Sequence, residues 1–161
     1  SKADKHIFIP HTTPNASFDY LGYKYDLAGN KVEVLLSSAR EEKINKRITH
    51  AFTQYHINIY TDGRKAYIKL RRRLDYLTKN TYLWNSKSNV VVGIYYNNKY
   101  ITNTSQLVGL DNFLQNQIDK YFKTGNLGNQ LKTRSFINGF NNRETTNFSP
   151  RVIADILSDW E

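Results

Sequence analysis

Apolar and polar residues change their spacing several times along the chain, and each change marks an element. The run from Phe18 through Tyr20 and Tyr23 to Tyr25 and the return Val32-Glu33-Val34-Leu35-Leu36 are aromatic and β-branched. They flank Ala28-Gly29-Asn30-Lys31, which predicts a β-hairpin. A helical period follows. Ile44, Ile48, Ala51 and Tyr55 recur at i, i+4, i+7, i+11, while Arg40, Lys43, Arg47 and His50 repeat on a separate face. Ser38 and Glu41 have the spacing of a capping box at the start of this helix. Thr61-Asp62-Gly63 breaks the pattern and can cap a second helix, with Ala66, Leu70, Leu74 and Leu77 inward and Lys65, Lys69, Arg72 and Lys79 on another stripe.

Further along, Val90 to Tyr96, an Asn97-Asn98 turn and Lys99 to Thr102 predict a second hairpin. Leu107, Leu110, Leu114, Ile118 and Tyr121 form the buried row of a third helix capped by Thr104 or Ser105. Gly125 and Gly128 then read as a helix stop, with a short helix near Leu131 to Phe136. Ser149 as N-cap and Pro150 in the first turn start a last helix, whose apolar face is Val152, Ile153, Ile156, Leu157 and Trp160. At the other end, Ile7 to Ile9 suggests one strand followed by a Pro-containing loop.

Charge sharpens this picture. The window from Ser37 to Lys87 holds twelve Lys/Arg against four Asp/Glu, a balance of +8 out of a total of +9. The basicity is therefore a site, and a localised basic surface usually faces a polyanion. Solubilising faces mix signs, whereas this one includes Arg71-Arg72-Arg73, with Tyr67 and Tyr76 near enough to stack on bases.

Other chemistry is thinly represented. There is no cysteine, which excludes disulfides and thiolate chemistry and fits a cytoplasmic location. The histidines His6, His11, His50 and His56 lack metal-ligand spacing. Asp155 and Asp159 sit at i, i+4, the pattern of the solvated side of an amphipathic helix. No apolar run reaches the roughly 20 residues that span a bilayer, so no membrane partner is expected.

The hairpin Phe18-Asp19-Tyr20-Leu21-Gly22-Tyr23, followed by Leu36 to Ile44 leading into a basic amphipathic helix, resembles the end of the palm and the thumb of bacterial reverse transcriptases. Ser135 to Phe140, Arg143, Phe148 and Asp159-Trp160 are similar to the C-terminal pattern of the defence-associated members related to retron and abortive-infection enzymes. The resemblance implies that Leu21, Gly22 and Tyr23 are the primer-grip triplet and that the helical thumb packs on a primer–template duplex. It also implies that Lys5 matches a palm lysine proposed to protonate pyrophosphate. The family's Tyr-x-Asp-Asp and earlier palm aspartate, which bind Mg²⁺, have no match here. On this resemblance the chain, which opens at Ser1 without Met, is a C-terminal piece, and no cofactor sits on it.

The expected fold is α+β: residues 1–36 as the end of a palm with a primer-grip-like hairpin, 37–87 as a basic helical thumb, and 88–161 as a mixed hairpin and helical C-terminal section. The expected function is to grip a primer–template duplex or structured RNA for an RNA-directed DNA polymerase in phage defence, partnered by an upstream fingers-palm part. Arg40, Lys43, Arg47, Lys65, Lys69 and Arg72 would contact phosphates. The alternative is a freestanding RNA- or DNA-binding accessory protein. A third reading is a protein–protein module using Tyr95, Tyr96 and Trp160.

Overall fold

The computed structural model describes residues 15–84, 90–123 and 125–160, and its fold is α+β. The expected Ile7 to Ile9 strand and Lys5 lie outside the described residues. Strands β1 (Asn15–Tyr20), β2 (Tyr23–Ala28) and β3 (Lys31–Leu36) form an antiparallel meander. The anticipated hairpin is thus a pair of hairpins sharing β2, both with two-residue turns. Leu21 and Gly22 make the first turn with φ of 50° and 81°, the left-handed arrangement that suits the twist of a tight hairpin. Phe18 and Tyr25 face each other across β1 and β2 and stack at 5.1 Å.

Helix α1 (Ser38–Thr78) follows. Its N-cap is Ser37, whose side chain accepts from the Arg40 N–H at 3.3 Å, so the cap lies one residue before the expected Ser38. Glu41 is not part of a box, because its carboxylate instead accepts from Gln106 Nε2 at 2.8 Å. At Asp62 the backbone leaves the helix (φ −153°, ψ 84°) and the Asp62 Oδ1 accepts from Lys65 N–H at 3.0 Å, the expected second cap. The two halves turn back on each other there. Arg47 and Arg73 both lie over the Trp160 ring, at 5.1 and 5.6 Å. In one straight helix those residues would stand about 39 Å apart. The long helix is an αα-hairpin.

Helix α2 (Ser105–Tyr121) packs along this hairpin, with Leu107, Leu110, Leu114 and Ile118 all at most 1% exposed. Each such side chain contributes roughly 1.5–3 kcal/mol by leaving water. The aromatic pairs Phe52–Tyr121 and Tyr55–Phe122 close the same seam at 5.4 and 5.0 Å. Thr104 holds the N-cap position without a side-chain bond; the Asn103 Oδ1 accepts from Ser105 N–H at 2.9 Å instead. Gln106 brackets the end of β3, accepting from Leu36 N–H at 2.7 Å and donating to Leu36 O at 3.1 Å. The meander is thereby tied to the helices.

The second hairpin is not formed as anticipated. Strand β5 (Val91–Gly93) pairs with β4 (Asn80–Tyr82), which in turn pairs in parallel with β6 (Thr145–Thr146). Residues 94–101 coil because the buried Asn98 amide donates to Ile94 O at 2.8 Å and draws them into turns that bury Ile94 and Ile101. The short helix near Leu131 to Phe136 is likewise replaced by two, α3 (Asn126–Leu131) and α4 (Phe136–Asn141). Gly128 sits inside α3 rather than stopping a helix, and its lack of a side chain serves close packing, because a Cβ there would come 2.8 Å from Phe122 Cβ. Asp111 caps α4 from α2, accepting from Ser135 Oγ at 2.7 Å and Phe136 N–H at 2.5 Å.

The last helix, α5 (Pro150–Leu157), starts as expected, with Ser149 Oγ accepting from Val152 N–H at 3.4 Å. Only Ile156 of its apolar face is fully buried. Among the described residues, no helix is long and apolar enough to cross a membrane.

Candidate nucleic-acid interface

Because α1 reverses at Asp62, its two halves flank one cleft of about 690 Å³, and the basic stripe of the second half borders it. Lys65, Lys69 and Arg72 line it from the second half, and Gln54 and Asn58 line it from the first. Of the six cations expected to meet phosphate, the structure brings these three together.

Their environments differ. Lys65 is exposed and pairs with Asp62 at 3.0 Å, one turn back on the same rim. Arg72 is half-buried in the cleft wall and forms no ion pair among the described residues. Lys69 lies between two carboxylates, 3.3 Å from Asp155 and 3.0 Å from Asp159. Asp155 and Asp159 are therefore not a plain solvated face. Helix α5 lays them against the basic hairpin, a pairing that the sequence pattern of α5 alone could not show.

The other three stand elsewhere. Lys43 is exposed, with no ion pair among the described residues. Arg47 places its guanidinium over Trp160, and its Nε is buried without an acceptor. Arg40 is structural: its Nη1 donates to Asn97 O and Asn98 Oδ1, both at 2.9 Å, while the guanidinium lies 4.9 Å over the Tyr23 ring. An Arg so engaged has little left to offer a phosphate.

Arg40 also explains Gly22. A Cβ on Gly22 would come 2.6 Å from Arg40 Nε and sit on a backbone with φ of 81°, so any other residue there must displace the Arg40 guanidinium and hold a left-handed conformation. The triplet splits in the structure. Leu21 projects, 74% exposed, at the tip of the turn, whereas Tyr23 is buried and donates its hydroxyl to Asn97 O at 3.2 Å. A non-glycine residue held at positive φ stores local strain of about 1 kcal/mol or more, and here it holds an apolar side chain out in water.

Tyr67 and Tyr76 are not free stacking platforms. Tyr67 donates to Leu127 O at 3.0 Å, and Tyr76 packs on Trp160 at 5.9 Å. Burial raises the hydroxyl pKa of both. Of the aromatic trio, Tyr95 and Trp160 are similarly committed, while Tyr96 stays 41% exposed beside Tyr95. Tyr95 packs on Phe140 at 5.3 Å beneath Arg143 at 4.4 Å, and Trp160 is enclosed by Arg47, Arg73 and Tyr76.

The residue missed from sequence is Arg73. It is 1% exposed, donates from Nε to Ile156 O at 3.3 Å, and pairs through Nη2 with Asp159 at 3.0 Å. Its signal was available: Arg73 falls three residues after Leu70 and four before Leu77, on the apolar stripe. Burial lowers its pKa, and the hydrogen bond it donates to Asp159 opposes that.

The Lys69 hydrogen bond and charge hold the Asp159 carboxyl below its ordinary range, with Arg73 adding to the effect. A carboxylate with a depressed folded pKa stabilises at neutral pH, and that contribution is lost as pH falls below about 4. In a Trp84→Phe background, Trp160 emission should therefore shift on acidification before the far-ultraviolet circular dichroism collapses. Asp159→Asn should already show the shifted emission at neutral pH.

No family model, curated protein or solved structure matches the chain.

Proposed function

We propose that the chain is the primer–template-gripping, thumb-like part of an RNA-directed DNA polymerase of the phage-defence type, with the αα-hairpin of α1 set against a nucleic-acid duplex. The observation that carries this reading is the convergence of cations on one helical hairpin, in a chain whose charge elsewhere nearly cancels. The strained Leu21-Gly22 turn supports it, since Ser37, the N-cap of α1, also donates its N–H to Gly22 O at 3.1 Å. Turn and hairpin are thus held in fixed relation, as a grip requires.

In this role Lys43, Lys65 and Arg72 are the direct phosphate contacts. Lys69 is shared with α5, while Arg40 and Arg47 position the turn and the last helix. The contacts fix register and read no sequence. Mg²⁺ would belong to an upstream palm carrying the Tyr-x-Asp-Asp. The nearest acidic pair here, Asp155 and Asp159, already neutralises Lys69 and Arg73 and does not fit a cation site.

Fluorescence anisotropy on an RNA–DNA hybrid across a salt series tests the proposal. Neutralising Lys43, Lys65 and Arg72 together to Gln is expected to lower the slope of log affinity against log salt by about three. Affinity should fall roughly a hundredfold at low salt, alike on unrelated sequences. A wild-type titration without slope would overturn the reading.

A further inference from the structure

We propose that α5 is a displaceable acidic flap: with no nucleic acid bound it occupies the positions on Lys69 and Arg73 that duplex phosphates take, so that α5 docking and duplex binding compete. This rests on the nucleic-acid reading of the cleft and adds a control to it.

The chemistry of α5 imitates that of its competitor. Two carboxylates one helical turn apart supply anionic oxygens to Lys69 at 3.3 and 3.0 Å and to Arg73 at 3.0 Å. Ser158 Oγ accepts a further bond from Lys69 at 3.3 Å. Beside them the planar Trp160 ring is packed against two guanidinium groups, the arrangement in which Arg meets a nucleic-acid base. Anions on the ammonium and guanidinium groups with an aromatic plane alongside are what a nucleotide would present.

The flap is held weakly enough to leave. Ile156 is its one fully buried side chain, Val152 and Ile153 are half-buried, and Leu157 is 36% exposed. Asp155 and Asp159 are each 48% exposed at the side chain, so water and salt screen their pairs. The docked state is also imperfect. Arg47 Nε and Trp160 Nε1, both in this interface, are buried donors without acceptors, and an unmade bond of that kind opposes docking. Release of α5 would uncover Arg47 and Arg73 beside Lys69 and Arg72 and lengthen the cationic row along the cleft.

The test pairs affinity with hydrogen exchange on the whole chain. The double variant Asp155→Asn/Asp159→Asn should bind an RNA–DNA hybrid about tenfold tighter than the charge-matched Asp26→Asn/Asp119→Asn, whose carboxylates pair with Lys24 and Lys132 away from the cleft. In the wild-type complex the amides of residues 152–157 should lose the protection they have in the free protein. Equal affinity of the two double variants, or unchanged protection of α5 in the complex, would overturn the flap while leaving the cleft reading intact. Absence of duplex binding by every variant would remove both.

Discussion

Replacing Gly139 by Ala is expected to cost about 4 kcal/mol of folding stability. Helix α4 presses its backbone against the end of α1 at this point, and a Cβ on Gly139 would overlap the Thr78 carbonyl oxygen. The obstacle is backbone at the end of a long helix, so no rotamer change can relieve it. The same substitution at Gly109 should do the reverse. Gly109 lies in the exposed face of α2, a Cβ there meets nothing within 4 Å, and alanine in a helix interior gains about 0.5–1 kcal/mol over glycine. Urea unfolding of both variants checks the sign as well as the size. A Gly139→Ala protein as stable as wild type would show that α4 does not sit on Thr78.

The second large effect belongs to Asn80, which is fully buried. Its Nδ2 donates to Gly139 O at 3.3 Å and to Glu144 O at 2.9 Å, and its Oδ1 accepts from Tyr95 N–H at 3.0 Å. One amide thereby satisfies backbone groups from three segments that no regular ladder would serve. Asn80→Ala leaves those groups without partners, at a cost of about 3 kcal/mol. Asn80→Asp should be at least as damaging, because a carboxylate cannot donate to the two carbonyls. Thermal unfolding that left the midpoint of either variant within a degree of wild type would contradict this.

Where the chain repeats a period over several turns, its structure was legible. The stripes of α1 and α2 and the cap at Asp62 follow from 3.6-residue spacing and one side-chain oxygen. The hairpin about Gly29-Asn30 follows from aromatic and β-branched runs around a two-residue turn, whereas the further turn at Leu21-Gly22 lies inside what reads as one run. The small sheet was not legible, since β4, β5 and β6 have two or three residues each and their order depends on the amide of Asn80. Helices α3 and α4 have six residues each, too few to show a period, and α4 is fixed by Asp111 from another element.

The candidate site shows the same division. That the basic surface lies on two helical stripes could be read from spacing, but which cations remain available could not. Arg40 sits in the same stripe as Lys43 and Arg47, yet its guanidinium is taken by Asn97 and Asn98, far along the chain. Asp155 and Asp159 carry the marks of a solvent face because the charges that answer them are on α1. Periodicity reports which side of an element is polar; it does not report what that side meets.

The parallel pairing of β4 with β6 fixes the order in which the molecule can assemble. Asn80 must wait for Glu144, 64 residues later in the chain, before its amide is satisfied. Closing so large a loop is slow relative to forming local helices and hairpins. During synthesis the meander and the α1 hairpin emerge first and can form from local contacts alone. Until the stretch around Glu144 leaves the ribosome, the end of α1 stays uncapped by the small sheet. A nascent chain stalled before that point should yield to protease near Asn80, and one stalled beyond it should resist.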